Sequence, residues 1–300
     1  MDEPPLDRLP PTRGKLHKNV PLGPQIWLQA GGSADVLFKP ADAEDLAHFL
    51  SHCPADIPRT ILGVGSNVLI RDGGIPGVVI KLGKGFNNIE VSKGKITLGG
   101  AVLDRNATLF AAEQGLSGFE YLIGIPGTIG GAIKMNAGAY GQEVKDHLIS
   151  CKGLTPAGEA ITYLREDLTF SHRTSSLPKG FIVTEATFRG TPDHPDVIHG
   201  RLQENMKKRA ESQPIQKGTG GSTFKNPLPK KAWELIDAAG CRGLRVGQAQ
   251  MSEKHCNFMI NQGAATATDL ETLGERVRDK VKAHSGITLE WEVERLGVPA

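Results

Sequence analysis

The sequence predicts an α+β protein of two or three domains that is not of the Rossmann type. Three observations lead there. The chain has 300 residues with ordinary apolar (39 %) and charged (23 %) fractions, long enough to bury sizeable cores. Strand-like and helix-like patterns alternate without an internal repeat or a low-complexity segment. Glycine is enriched, with 37 residues where average usage is about 7 %. It gathers in three runs, the first of which leads into strand-like sequence.

The first twenty residues read as an irregular, proline-bearing arm. Residues 34–39 form a short strand, and Asp42 caps a helix to about His52, with Glu44 and Asp45 in the first turn where carboxylates suit the helix dipole. Strands follow at 59–64, 68–70 and 77–82. The run Gly63-Val64-Gly65-Ser66-Asn67 lies between the first two. It resembles a dinucleotide fingerprint only in part. Val68 stands where the third glycine of G-x-G-x-x-G belongs, and strand rather than helix follows.

Alternation over 89–100 predicts a hairpin turning at Ser92-Lys93-Gly94. A helix from about Leu103 to Gln114 ends at Gly115, and strands are expected at 148–154, 160–164 and 182–188. Ser171-His172-Arg173-Thr174-Ser175 reads as a polar loop, and 191–197 as a linker. An amphipathic helix over 197–211 carries Ile198, Leu202 and Met206. A further unit then has a loop at 217–227, helices at 231–239 and 268–284, and a strand at 258–261. Leu270, Leu273, Val277 and Val281 form the apolar stripe of the 268–284 helix. A last strand over 288–294 places Glu290 and Glu292 on one face. If that face is buried, one of them pairs with a cation such as Arg173.

Net charge is +2 with both signs mixed, and no basic block marks a nucleic-acid surface. The first twenty residues lack an apolar signal core, and no apolar run approaches a bilayer span. A cytoplasmic protein is expected. Cys53, Cys151, Cys241 and Cys256 have neither metal nor redox spacing, and the nine histidines show no paired ligand pattern, so no metal is expected. Cys256 follows His255, but neighbours on a strand point to opposite faces, so a small buried side chain is the better reading of the cysteine.

The second glycine run, Gly124-Ile-Pro126-Gly127-Thr-Ile-Gly130-Gly131-Ala-Ile-Lys-Met-Asn136-Ala-Gly138-Ala139-Tyr-Gly141, is the most informative segment. Glycines accept positive φ and let a group approach the backbone, which suits N–H groups converging on an anion. The plain alternative is a loop closing tightly packed strands. Together with the first run it suggests a ligand with more than one phosphate. The third run, Lys217-Gly-Thr-Gly-Gly-Ser222-Thr-Phe-Lys225-Asn226-Pro227, is neither a P-loop nor a nucleophile elbow. It gathers a hydroxyl, an ammonium and an amide. A capping hydroxyl is the plain reading of Ser222, as a loop arginine is of Arg173.

Taken together, Gly65-Ser66-Asn67, the 124–141 segment, Ser171-His172-Arg173, Gly-Gly-Ser222-Thr-Phe-Lys225-Asn226-Pro227, Ser252-Glu-Lys-His255-Cys-Asn257 and Leu289-Glu-Trp-Glu292-Val closely resemble the bacterial UDP-N-acetylenolpyruvoylglucosamine reductases, in family order from about residue 20 onward. The resemblance implies an FAD-binding fold of the vanillyl-alcohol-oxidase/PCMH type in two subdomains, plus a third α/β substrate-binding domain. On that pattern 1–84 is the first FAD-binding subdomain. The second is 85–200, joined by the C-terminal strand 287–300, and 201–286 binds substrate. No insertion separates 138 from 188, as in the shorter, type II form of the family.

The resemblance further implies non-covalent FAD, with NADPH as hydride donor and UDP-GlcNAc enolpyruvate as substrate, in a monomer of peptidoglycan precursor synthesis. Hydride reaches C3 of the enolpyruvyl group and a proton reaches C2, giving UDP-N-acetylmuramate. Ser222 is then the proton donor, while Arg173 and Glu292 polarise the enolpyruvyl carboxyl group. Gly63, Gly65, Ser66, Asn67, Gly124, Pro126, Gly127, Gly130, Gly131, Asn136, Gly138 and Ala139 fall on cofactor-binding positions. Lys225, Asn226, His255 and Asn257 fall on substrate-side positions. The chain departs from the common pattern at Ile26, Gln29, His172 and Glu294. A sugar or alcohol oxidase of the same flavin fold is disfavoured, because 63–67 offers no histidine or cysteine for covalent attachment. A non-catalytic nucleotide-sugar binder is disfavoured by the intact Ser222, Arg173 and Glu292.

Overall fold

The computed structural model describes residues 6–214 and 218–300. The first five residues of the expected arm, and Lys217 at the start of the third glycine run, lie outside the described residues. The chain divides into two compact units: 1–18, 36–63 and 77–208 form one, and 19–35, 64–76 and 209–300 form the other.

A four-stranded sheet runs in the order Lys15–Pro21, Ser33–Lys39, Ile75–Ile80, Arg59–Ile61. Helix α1 (Ala43–His52) covers it with Leu46, Phe49 and Leu50, which pack on Val36, Phe38, Val78 and Ile80. Its start is the expected one: the Asp42 carboxylate accepts the Asp45 N–H at 3.0 Å. The expected arm is partly wrong, because Lys15–Pro21 is a strand. As a mostly exposed, polar edge strand it carries no alternation to read. The buried Asp45 carboxylate anchors its approach by accepting N–H groups of Arg13 (2.7 Å) and Gly14 (2.9 Å).

A five-stranded antiparallel sheet follows, ordered Ala160–Leu164, Leu148–Leu154, Ile182–Arg189, Lys95–Gly99, Ile89–Ser92. Its hairpin turns where expected, with Lys93 (φ 50°) and Gly94 (φ 73°) both left-handed, as a two-residue turn requires. Helix α2 (Asp104–Glu113) and the short α3 (Ile129–Lys134) bury Ala107, Ala111, Ile129 and Ile133 in the same core as Ile96, Leu98 and Phe188. The expected linker is instead structured: Thr191–Pro192 pairs with Leu116–Ser117, and α4 (Pro195–Ser212) begins at once, with proline at its first position.

The second unit has an antiparallel sheet ordered Gly218–Ser222, Phe258–Asn261, Ala249–Met251, Arg245–Val246. Helices α5 (Ala232–Ala238) and α6 (Ala267–Ser285) accompany it. Helix α6 buries the expected stripe Leu270, Leu273, Val277 and Val281 and starts at a reciprocal Thr266–Asp269 capping box. The final strand is shifted. Glu294–Leu296 runs parallel to Val68–Ile70, and 288–290 has no strand pairing. Around Trp291, which bridges antiparallel to Phe224, residues 290 and 292 bond to the backbone of 225 and 223. The Glu290 side chain is 77 % exposed and meets Lys225 Nζ at 3.5 Å, whereas Glu292 is half-buried.

Candidate active site

In the first unit the 124–141 segment is hydrogen-bonded to the chain entering α2. Asp104 N–H donates to Gly127 O (3.1 Å), Ile129 N–H to Val102 O (2.9 Å) and Gly130 N–H to Gly100 O (2.9 Å). Packing alone accounts for three of its glycines. A Cβ on Gly127 would overlap Asp104 Oδ2, one on Gly130 would crowd Gly100 O at 3.1 Å, and one on Gly138 would lie 2.6 Å from Gln142 O. Gly124 is buried at the end of a 3₁₀ turn, and half-buried Pro126 follows it. Ala139 pairs with Gln142 in a two-residue hairpin.

Gly63 and Gly131 differ. Both are exposed, and the nearest atom that a Cβ on either would meet is Thr128 Oγ1, at 3.2 and 3.7 Å. Backbone from the first and second glycine runs thus flanks one hydroxyl, leaving a surface bare of side chains. Thr128 was not among the residues singled out from sequence, although it sits inside the run.

Asn136 is wholly buried at φ 43° and its amide is committed to protein. Its Nδ2 donates to Glu143 Oε2 (2.9 Å) and Ser171 O (3.1 Å), and its Oδ1 accepts the Lys145 N–H (3.1 Å). The bond to Ser171 bears on Arg173, which turns the chain between Phe170–Ser171 and Thr174–Ser175 at φ 57°, an uncommon conformation for a side-chain-bearing residue. Ser175 Oγ holds the other side of the turn by donating to Lys134 O at 2.9 Å.

Asp104 carries a consequence for stability. It is fully buried, both carboxyl oxygens lack a hydrogen-bond partner among the described residues, and burial pushes its pKa well above the carboxylate range. The folded state therefore keeps a proton that the unfolded chain gives up from about pH 4, and stability falls as pH rises from there toward the folded pKa. Asp104→Asn removes that fall. Its melting temperature relative to the native chain should climb with pH across this window. A difference that stays constant with pH would refute the account.

In the second unit Ser222 ends the strand Gly218–Ser222, opposite Phe258. Beyond it the next three N–H groups are held. Thr223 N–H donates to Asn257 O (2.7 Å), Phe224 N–H to Asn257 Oδ1 (3.0 Å), and Asn257 Nδ2 back to Phe224 O (2.8 Å). Met259 N–H donates to Thr223 Oγ1 at 3.1 Å. Glu292 N–H donates to Thr223 O (2.8 Å) and Lys225 N–H to Glu290 O (2.9 Å), so Ser222 and Glu292 lie on neighbouring backbones. Asn67 closes the group: its Nδ2 donates to Glu292 O (3.0 Å), and its carbonyl accepts the Glu294 N–H (3.0 Å).

The substrate-side candidates separate by role. Half-buried Lys225 borders solvent. Asn226 Oδ1 caps α5 through the Ala232 N–H at 2.9 Å, and buried Asn257 is engaged by Phe224. His255 packs edge-on against Phe258 (4.8 Å), and burial depresses its pKa. Its Nδ1 is buried without a partner among the described residues. Gly65 (φ 68°) leaves no room for a Cβ beside Ile26, Ser66 is half-buried, and Gln29 is left-handed at φ 52°. All four cysteines are buried, and Cys256 Sγ faces Trp233 O at 3.0 Å. Among the described residues no helix is long and apolar enough to cross a membrane, and no three His, Cys, Asp or Glu gather as a metal site.

Residues 213–296 match the family described as UDP-N-acetylenolpyruvoylglucosamine reductase, C-terminal domain, and residues 34–163 match the FAD binding domain family. The chain is 53 % identical to the UDP-N-acetylenolpyruvoylglucosamine reductase of Parvibaculum lavamentivorans, over 98 % of this chain and 94 % of that protein. It is 52 % identical to that of Gluconobacter oxydans, over 95 % and 93 %. The crystal structure of the Thermus caldophilus UDP-N-acetylenolpyruvylglucosamine reductase superposes with a TM-score of 0.84 at 34 % identity. That match covers 95 % of this chain and all of the other.

Proposed function

The chain belongs to the UDP-N-acetylenolpyruvoylglucosamine reductase family, and from that premise we propose that Ser222, Arg173 and Glu292 carry its reaction. The protein is a flavin oxidoreductase of peptidoglycan synthesis that uses FAD and NADPH. The exposed, side-chain-free backbone at Gly63 and Gly131 around the Thr128 hydroxyl fits the pyrophosphate of such a cofactor. Bound there, FAD would supply the hydride, drawn from NADPH, that is delivered to C3 of the enolpyruvyl group.

The chain's own residues do the rest. Hydride addition to an enol ether builds negative charge toward the carboxylate, and preorganised donors must meet it. Arg173 presents a planar fork suited to two carboxylate oxygens, on a turn held at Ser171 and Ser175. Glu292 polarises the same carboxyl group, and Ser222 delivers its hydroxyl proton to C2. The adjacency of Ser222 and Glu292 through the 2.8 Å bond between Glu292 N–H and Thr223 O is the observation that carries this reading. Lys225 offsets diphosphate charge, and His255 offers its unpartnered Nδ1 to the substrate. By ligand, the chain divides into 1–84 and 85–200 with 287–300 for FAD, and 201–286 for substrate. The protein works as a cytoplasmic monomer.

Anaerobic stopped-flow absorbance tests the reading. NADPH should bleach the oxidised-flavin band, and UDP-GlcNAc enolpyruvate should restore it. Flavin that reduces but stays reduced with this nucleotide would refute the substrate assignment.

A further inference from the structure

Glu292 sits on a segment with little regular structure, yet a polar stripe of α6 grips its neighbours. Trp291 lays its indole over Gly274, where any Cβ would overlap the ring. The indole N–H donates to Glu275 Oε1 at 2.9 Å. The Arg295 guanidinium lies 4.8 Å from the Trp291 ring centre and donates to Glu275 Oε1 (3.1 Å) and Glu271 Oε1 (2.9 Å). Arg71 donates to both oxygens of Glu271 (2.8 and 2.9 Å) and to Gly297 O (3.3 Å). Arg278 pairs with Glu275 and donates its Nε–H to Leu289 O at 2.9 Å. Glu271, Gly274, Glu275 and Arg278 fall three or four apart on one helix face, so a single face holds residues 289, 291 and 295, and Arg71 ties Glu271 to residue 297.

We infer that Trp291, seated in the Gly274 notch and tied to Glu275, is a positioning residue that sets where Glu292 meets the substrate. The inference rests on the role proposed for Glu292. The two peptide groups of Glu292 are already held by Thr223 and Asn67. These bonds hold the backbone on either side of Glu292, and the large ring seated one residue earlier adds the side-chain anchor beside it. A helix residue other than glycine at 274 would lift the ring and turn the segment. The charge ladder adds stiffness, since Glu271 and Glu275 each receive two or more cationic or indole donors, and the Arg71 guanidinium holds the Glu271 carboxyl below its usual range.

The test uses flavin-loaded protein and follows the two half-reactions separately. Trp291→Ala should leave flavin content and NADPH reduction within about twofold of the native chain. Reoxidation by UDP-GlcNAc enolpyruvate should slow about 10²-fold, the scale of an ångström misplacement. Trp291→Phe keeps a ring in the notch and should recover most of that loss, whereas Gly274→Ala, which fills the notch, should reproduce it. Should Trp291→Ala fail to retain flavin, the contrast between these two variants decides. In a Glu292→Gln background, Trp291→Ala should slow reoxidation no further. Equal slowing of both half-reactions, or an undiminished Trp291 effect in that background, overturns the inference. Native reoxidation in Glu292→Gln alone overturns the role of Glu292 instead, which separates the two failures.

Discussion

Ser222→Ala should reduce its flavin with NADPH at the native rate and reoxidise it with UDP-GlcNAc enolpyruvate about 10²–10⁴-fold more slowly, the usual worth of a positioned proton donor. The separation of half-reactions is the informative part. NADPH reduction requires no proton from the chain to substrate carbon, whereas completing the reduced substrate does. The substitution is also structurally mild. Ser222 is half-buried at a strand end, and the bonds that order the following residues belong to Thr223, Phe224 and Asn257. Rapid-mixing absorbance on the reduced enzyme checks the result, and equal rates of reoxidation in variant and native protein would remove the serine from the chemistry.

Asn257→Ala should act on the same loop through stability. The amide is 3 % exposed and satisfies both the N–H and the C=O of Phe224, a residue fully removed from solvent. Alanine leaves both groups buried and unpaired, at about 1–3 kcal/mol each. A loss of roughly 2–6 kcal/mol, before any cavity cost, is expected from urea denaturation read at equilibrium. Reoxidation should slow as well, since Ser222 is two residues from the freed backbone. Asn257→Asp retains one acceptor for the Phe224 N–H and should fall between the two. A midpoint unchanged in Asn257→Ala would mean that Phe224 finds other partners.

Local signals were readable and nonlocal ones were not. The Asp42 cap, the Lys93-Gly94 turn and the α6 stripe each rest on residues within a few positions of one another, and all appear where expected. The strand Lys15–Pro21 escaped because pairing, not its own apolar content, makes it a strand. Residues 288–290 have strand-like composition but carry no strand ladder, and only Glu290 bonds to a neighbouring backbone, at Lys225. At the proposed site, glycine runs and polar clusters single out segments. What each residue does there depended on partners far along the chain. Asn136 proved to hold the Arg173 turn, Asn257 the loop after Ser222, and Gly274 a tryptophan seventeen positions later. An isolated glycine within a helical pattern was the one available hint of that last contact.

The bond from Asn67 to Glu292 spans 225 positions in sequence, and this orders events during synthesis. A ribosome releases residues 64–76 long before their companions exist, and the parallel partner of Val68–Ile70 is Glu294–Leu296, at the far end of the chain. Closing so long a loop costs entropy that only the completed contacts repay. The early segments therefore wait, unpaired on that side, until residues 292–296 have been made. A chain cut before residue 292 would carry most of this sequence yet lack both the Glu292 carbonyl that Asn67 binds and the parallel partner of Val68–Ile70.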